Sequence, residues 1–375
     1  MISKEKTTSI KDQSPWRLVL LGIGLIIIGL HFSLRDNGRV MTAVYEGFVR
    51  PVHSFLARLC DGVRFSVAEC IIGLFAMGII VYIIYEIIML CIKGRKGRRV
   101  YITVLTLVTA AVLVYAGQCV FWGTYYYAPD FVEKSGVSEE PISLEELTVV
   151  TAYFADLANE YGQLVPRDEN GVYAGDRDAL MAKSGEIYEN ITGKFPCLAG
   201  ENHRPKPIYF SRVMSYTGFT GFFFPFTAEA NLNMDSPAAY LPSTIAHELA
   251  HQRGVSPEQQ ANFVAVAACL DYGDTDFVYS AALLAYIHLG NALYSVDYEA
   301  WKEIYQSLDA GVLADFADNN AYWAQFEDSL SQKVSDAVYD GFLKSYDQEL
   351  GLKSYGACVD LLVNYYYEDA KTAAQ

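Results

Sequence analysis

Three long apolar runs open the chain, and a more polar, helix-patterned sequence follows them. The runs are Arg17 to Phe32, Glu69 to Ile92 and Val100 to Gly123. A membrane-spanning helix needs about 20 mostly apolar residues, and buried soluble helices seldom run so far unbroken. The pattern predicts a tail (1–16) and then a region (17–123) of three transmembrane helices at about 17–32, 69–92 and 100–123. The first run leads into His31-Phe32-Ser33-Leu34-Arg35, without the small-x-small pattern of a cleaved signal peptide, and reads as an anchor. Between the first two runs, Val44, Phe48, Val52, Phe55 and Leu59 recur at helical spacing. That stripe suits an interfacial amphipathic helix or a short helix packed on the bundle. Glu86 falls mid-membrane, where an ionisable group is a functional candidate. The other two runs offer no carboxylate or lysine to build a relay with it, so transport is disfavoured.

Residues 124–142 carry two prolines and no clear period, and read as a linker. A capping box, Ser143 to Glu146, then opens a helix whose apolar stripe is Leu147, Val150, Phe154, Leu157 and Tyr161. A weaker helix is expected over about 178–192. Residues 206–233 are rich in aromatics, Thr and Gly, which favours strands and turns. Within them Phe226, Ala228, Ala230 and Leu232 alternate with Thr227, Glu229, Asn231 and Asn233, a strand with one polar face. Helices are expected over about 242–253, 257–271, 277–293, 297–308, 320–345 and 354–368. The fold class is mainly α with a small β-sheet (α+β), one domain over 143–375 behind the membrane helices.

Charge sharpens this division. The 375 residues carry a net charge of −16, yet residues 1–124 hold 14 Lys/Arg against 7 Asp/Glu, and residues 125–375 hold 14 against 37. A surface that acidic repels phosphate backbones and excludes nucleic acid as a partner. The link Lys93 to Arg99 carries five cations and no acid, so it should stay in the cytoplasm. This predicts a multi-pass cell-membrane protein with its C-terminal domain extracytoplasmic. The seven cysteines include no CxxC pair, which leaves thiolate zinc sites and thioredoxin-like chemistry without support.

Residues 242–254 read Pro-Ser-Thr-Ile-Ala-His-Glu-Leu-Ala-His-Gln-Arg-Gly. On a helix, His247 and His251 share one face and can point at one ion. Neutral imidazoles suit Zn²⁺, and Glu248, beside the first His, is placed to take a proton from an attacking water without being a ligand. Gly254 lets the chain turn sharply, and Ser256-Pro257 starts a new helix that brings Glu258 close as a third ligand. Glu229 and His288 are rival ligands. Asn262, four residues after Glu258, is a candidate hydrogen-bond partner for a ligand imidazole. Tyr355 and Tyr279 are candidate oxyanion donors.

The HELAH run followed by Glu258 and Asn262 resembles the gluzincin metallopeptidases, in which the position of Asn262 is usually Asp. More closely, the chain resembles an uncharacterised bacterial membrane family, a domain of unknown function with three N-terminal spans. The shared stretches are Pro225 to Asn233, His247 to Gly254, Gln260-Ala261-Asn262-Phe263 and Leu343 to Gly356. The resemblance implies a zincin-like domain and a peptidase-like activity. In peptidases of this type an edge strand beside the zinc helix pairs with extended substrate, a role that Thr227, Glu229 and Asn231 would serve. The expected function is a membrane-anchored zinc metallopeptidase acting on peptides or proteins outside the cytoplasm. The alternative is a non-catalytic envelope binding or scaffold protein with a structural or vestigial zinc site.

Overall fold

The computed structural model describes residues 15–92, 96–327, 333 and 356–375. The chain is mainly helical, with a small three-stranded sheet, and it divides into two compact units.

The first unit is built from residues up to 51 and 68–128. It holds α1 (Pro15–Leu34), α2 (Gly38–Val44), most of α4 (Val67–Ile92), α5 (Lys96–Gln118) and α6 (Thr124–Tyr127). Between α2 and α3 (Arg50–Asp61) a π-helical turn, Tyr45–Val49, continues the helix. Within the unit α1 packs along α5, and Arg17 Nε donates to Thr106 Oγ1 at 2.9 Å. Glu86, which stands alone in its span by sequence, has a partner: Arg99 Nη1 donates to its carboxylate at 2.8 Å from the next helix. The pair neutralises both charges at a mostly buried contact between the two helices. Arg99→Met should therefore destabilise the unit by about 3 kcal/mol, because it strands a desolvated carboxylate. The double variant Glu86→Met/Arg99→Met should recover most of that loss in a thermal melt of the detergent-solubilised chain.

The second unit takes residues 52–67 and 129 onward. Its helices are the larger part of α3, then α7 (Phe131–Ser135), α8 (Leu144–Gly162), α9 (Arg177–Lys183) and α10 (Ser211–Ser215). They are followed by α11 (Leu241–Gln252), α12 (Glu258–Tyr272), α13 (Thr275–Val296), α14 (Tyr298–Gln306), α15 (Ala310–Ala324) and α16 (Gly356–Ala373). The sheet consists of β1 (Lys206–Pro207), β2 (Gly221–Phe224) and β3 (Glu229–Leu232) in the order β1-β3-β2. β1 runs parallel to β3 (Lys206 opposite Asn231), and β2 antiparallel to it (Gly221 opposite Leu232). The core gathers where α13 lies against α8, α11 and α12, around Phe154, Phe263, Phe277 and Leu283.

Four helices among the described residues are long and apolar enough to cross a membrane, where the pattern predicts three. The fourth is α13. Its apolar window is 67% buried inside the protein, against 11%, 6% and 17% for the other three. A helix packed on all sides by a core carries the same composition as a span.

Other expectations change in detail. The segment 124–142 is not a plain linker: Asp130 and Glu133 form a capping box for α7, and Phe131 enters the core. The weak helix over 178–192 shortens to α9, followed by turns and a 3₁₀ turn, Ile191–Gly193. A helix that already begins at Ala310 and runs to Ala324 covers the start of the stretch expected over 320–345, most of which lies outside the described residues. The stripe Val44, Phe48, Val52, Phe55 and Leu59 is not the packed face. Tyr45, Val49, His53, Ala57 and Cys60 are buried instead, while Phe48, Phe55 and Leu59 are exposed. The strand 226–233 shortens to β3 and lies in the middle of the sheet, so all four of its residues are buried.

Candidate metal centre

The two histidines and Glu248 come from α11, and Glu258 from the start of α12. Pro242 sits in the first turn of α11, where its missing N–H costs nothing. Side-chain bonds fix the helix in place: Tyr188 donates to the Ala246 carbonyl at 2.6 Å, and the Ser243 N–H donates to Ser280 Oγ at 3.1 Å. Gln252 Nε2 donates to the Ala228 carbonyl at 2.7 Å, tying the end of α11 to the β2–β3 turn. Ala228 adopts φ 56° there, a left-handed conformation unusual for a residue with a Cβ.

The exit from α11 shapes the site. Gly254 takes φ 91°, and the Val255 N–H returns to the Ala250 carbonyl at 3.1 Å. That reversal brings the Val255 carbonyl back onto the histidine face, and His251 Nδ1 donates to it at 2.7 Å. The bond commits Nδ1 as a proton carrier and turns Nε2 toward the cluster as the nitrogen that an ion would take. His247 Nε2 lies 3.2 Å, and His251 Nε2 3.7 Å, from Glu258 Oε2. The rings stand nearly perpendicular with centroids 4.7 Å apart. One ligand atom from each of His247, His251 and Glu258 falls within 4.8 Å of the other two. Three donors of this type, two imidazoles and a carboxylate, fit a zinc-like ion with room for a further ligand.

Glu248 stays outside this donor set. It is 3% exposed, and among the described residues its Oε2 has no hydrogen-bond partner. Burial pushes its carboxyl up to about 7, although the nearby histidines pull the other way. Glu258 raises His251 to about 9, overcoming the burial that would lower it. The same ion pairing holds the Glu258 carboxyl well below the usual range despite its burial. Space for the Glu248 carboxylate comes from Gly221 on β2: a Cβ there would meet Glu248 Oε1 at 2.5 Å and Cγ at 2.7 Å. Gly221→Ala should cost about 1–3 kcal/mol by overpacking. The cost should largely vanish in a Glu248→Ala background, and a double-mutant cycle of melting midpoints checks this.

The remaining sequence candidates fall in different places. Asn262 is buried on α12, but the Val255 carbonyl, not Asn262, meets the His251 ring nitrogen. Glu229 accepts the Val67 N–H at 3.2 Å, and Asn231 accepts from Ser66 Oγ at 2.6 Å. These two side chains serve the chain before α4 and belong to a central strand, so the proposed substrate edge is corrected: β2, not β3, is the edge strand beside α11. Thr227 is buried in the β2–β3 turn. Tyr279 donates to Asp315 and accepts from Arg167 in a buried network away from the cluster. His288 lies near enough to His247 for their charges to repel. Tyr355 lies outside the described residues. Gly221 and the Val255 carbonyl were not among the sequence candidates; a glycine and a backbone oxygen carry no chemical signature in a sequence.

A family model described as a protein of unknown function, DUF3810, matches residues 44–363. This chain belongs to the DUF3810 family. The match agrees with the resemblance in its coarse form, a family of unknown function. No curated protein and no solved structure matches the chain. The DUF3810 match runs from the end of α2 into α16 and takes in the sheet, α11 and α12, so the whole cluster lies within it. Gln260, in the stretch after Glu258, has a local task in this DUF3810 chain: its Oε1 accepts the Phe131 N–H at 3.0 Å and its Nε2 donates to Asp130 at 2.7 Å.

Proposed function

We propose that this protein is a membrane-anchored, zinc-dependent metallopeptidase with a zincin-like domain that hydrolyses peptide bonds outside the cytoplasm. The observation that carries this reading is the Glu248 carboxylate. It is buried, lacks a hydrogen-bond partner on one oxygen, and stands beside a His-His-Glu donor set without joining it. A structural metal site has no use for such a group, and burying it without a partner costs stability. An enzyme needs a base of that kind, tuned toward neutral pH and aimed at an attacking water.

His247, His251 and Glu258 would hold the metal, with the Val255 carbonyl orienting His251. Bound zinc supplies a Lewis acid that polarises the scissile carbonyl and acidifies water. Glu248 takes the proton from the attacking water and delivers it to the leaving amine. β2, the edge strand beside α11, aligns an extended peptide through its main chain. Outside placement follows from the five cations of the link Lys93 to Arg99, which hold that link in the cytoplasm.

The purified full-length chain, incubated with a broad peptide library, should release new peptide termini. A chelator should abolish release, and stoichiometric zinc should restore it. Full release after exhaustive metal removal, or no cleavage of any library member by the zinc-loaded chain, overturns the reading.

A further inference from the structure

The joint between α13 and α14 carries an aromatic cluster that the metal centre does not use. Asp297 is the whole connection. Its N–H donates to the Leu293 carbonyl at 2.7 Å to close α13, and its side chain accepts the Ala300 N–H at 3.0 Å to open α14. This tight joint brings Tyr294, near the end of α13, against Tyr298, Trp301 and Tyr305, which recur three and four residues apart on one face of α14. Trp301 is the hub. Tyr305 stacks on it at 5.0 Å, Tyr298 lies tilted beside it at 5.6 Å, and Tyr294 meets it edge to face at 4.8 Å. Tyr294, Tyr298 and Tyr305 are 53%, 49% and 39% exposed. The rings hold one another before anything binds, so little side-chain entropy is left to lose.

A notch adjoins these rings. Tyr286, about two turns before Tyr294 on α13, is 4% exposed, and its hydroxyl is buried without a hydrogen-bond partner. Burial pushes that hydroxyl up to about 12, and Tyr305 adds to the shift, so it keeps its proton at neutral pH. Gly290 stands between Tyr286 and Trp301. A Cβ there would lie 3.5 Å from Tyr286 Cζ and 3.7 Å from Trp301 Nε1, both ordinary contact distances, so the glycine leaves a methyl-sized space. Trp301 Nε1 has no acceptor among the described residues and is not one of the fully buried polar atoms. An unpaired buried hydroxyl costs stability, and a ligand group seated in the notch would satisfy it.

The chemistry of this surface selects its ligand. Its exposed rings are all tyrosines, each with an apolar face and a polar tip. The notch adds a hydroxyl and an indole N–H, neither of them charged. Lys302 stands four residues from Tyr298 and three from Tyr305, on the aromatic side of α14, and opposes a cation seeking the ring faces; Glu299 lies 4.0 Å from it. An anion meets the excess of 37 Asp/Glu over 14 Lys/Arg in residues 125–375. A purely apolar partner would cover the rings and strand the notch. A pyranose ring fits both parts: its C–H bonds, weakly positive, suit the negative face of an aromatic ring, and its hydroxyls pair with the polar tips.

We propose that the Tyr294/Tyr298/Tyr305 surface and the Gly290 notch bind a neutral, hydroxyl-rich glycan, the rings stacking on sugar faces and Tyr286 and Trp301 pairing with a sugar hydroxyl. The site lies wholly on α13 and α14, and it depends neither on the metal nor on peptidase activity.

The test uses the full-length chain in an amine-oxide detergent, which has no sugar headgroup. Cellohexaose and chitohexaose are titrated by calorimetry, and saturation-transfer NMR reads which sugar protons touch the protein. At least one hexasaccharide should bind with millimolar affinity or better, with transfer to ring C–H protons. The pair Tyr298→Ser/Tyr305→Ser should weaken that binding by about tenfold or more, as loss of central aromatic anchors does. Tyr286→Phe keeps the ring and removes the hydroxyl, and should weaken it by about threefold or more. Gly290→Ala fills the notch and should weaken it likewise, with a melting midpoint no lower than wild type, since Ala is the better helix former. No binding of either sugar at millimolar concentration, or binding that the tyrosine pair's replacement leaves unchanged, overturns the proposal. Capture of a tetra-arginine peptide at this surface, without sugar binding, overturns it in favour of a protein partner. A failed peptide-library assay would leave this result untouched, and the reverse also holds.

Discussion

Glu248→Gln will keep the fold and the metal and lose turnover by about 10²–10⁴-fold, the usual worth of a general base. The carboxylate makes none of the ion-pair contacts that join His247, His251 and Glu258, so the donor set survives its loss. The amide is nearly isosteric and fills the space that Gly221 leaves open. The metal-free variant should be at least as stable as wild type above pH 7. Burial raises the Glu248 carboxyl to about 7, so the folded state binds its proton more tightly than the unfolded chain does. Stability from that group is present at low pH and lost as pH rises through about 7, and the amide removes the loss. Turnover of the wild type should fall on the acid side as the base is protonated. That acid limb should be absent from whatever residual rate the variant keeps. Metal content, a melt and a pH–rate profile on the same two preparations decide the matter. A variant with unchanged turnover would remove Glu248 from the chemistry.

His247→Ala should remove both metal and activity, which separates a ligand from a base. Loss of a ligand should weaken zinc binding by more than the ~10–100-fold that an outer hydrogen-bond partner is worth. The metal-free wild type adds a pH signature. Glu258 lifts His251 to about 9, so at neutral pH the ring carries a proton that an incoming ion must displace. Zinc affinity should rise with pH toward about 9, and binding at pH 7 should release a proton. Calorimetry in two buffers of different ionisation heat measures that release directly. Equal zinc stoichiometry in His247→Ala and wild type, or no proton release, would dissolve the donor set.

The sequence displayed the motif helix and its successor plainly, because both are periodic and punctuated by Pro242, Gly254 and Pro257. The capping box at Ser143 was equally legible and is present, with Ser143 Oγ accepting the Glu146 N–H at 3.2 Å. The polar strand was legible as a strand and misread in its surroundings. Alternating Glu229 and Asn231 look like a solvated or substrate-binding face, but Ser66 and Val67, more than 160 positions earlier, occupy that face. Local periodicity carries no information about a partner so distant. The same limit explains the stripe on α3. Apolar residues on both sides of that helix leave the choice of packed face to the rest of the fold. The Val255 carbonyl acquires its role only because Gly254 reverses the chain.

The bonds from Ser66 and Val67 to β3 also determine what can be cut away. The second unit is discontinuous: residues 52–67 belong to it, then two apolar helices intervene, then residue 129 resumes it. A soluble fragment beginning at residue 125 would bury Glu229 and Asn231 without their earlier partners, at about 1–3 kcal/mol for each stranded group. It would also leave Lys206 without the two carbonyls that receive it. During synthesis the early piece leaves the ribosome first, and the central strand that needs it arrives only after both helices have been made. Maturation of the sheet therefore reports on membrane insertion: a chain in which only one of the two helices crosses leaves residues 52–67 and β3 on opposite sides of the bilayer and cannot complete its sheet. A short peptide covering residues 52–67, or its fusion ahead of residue 129, is the minimal addition that would let the domain stand alone.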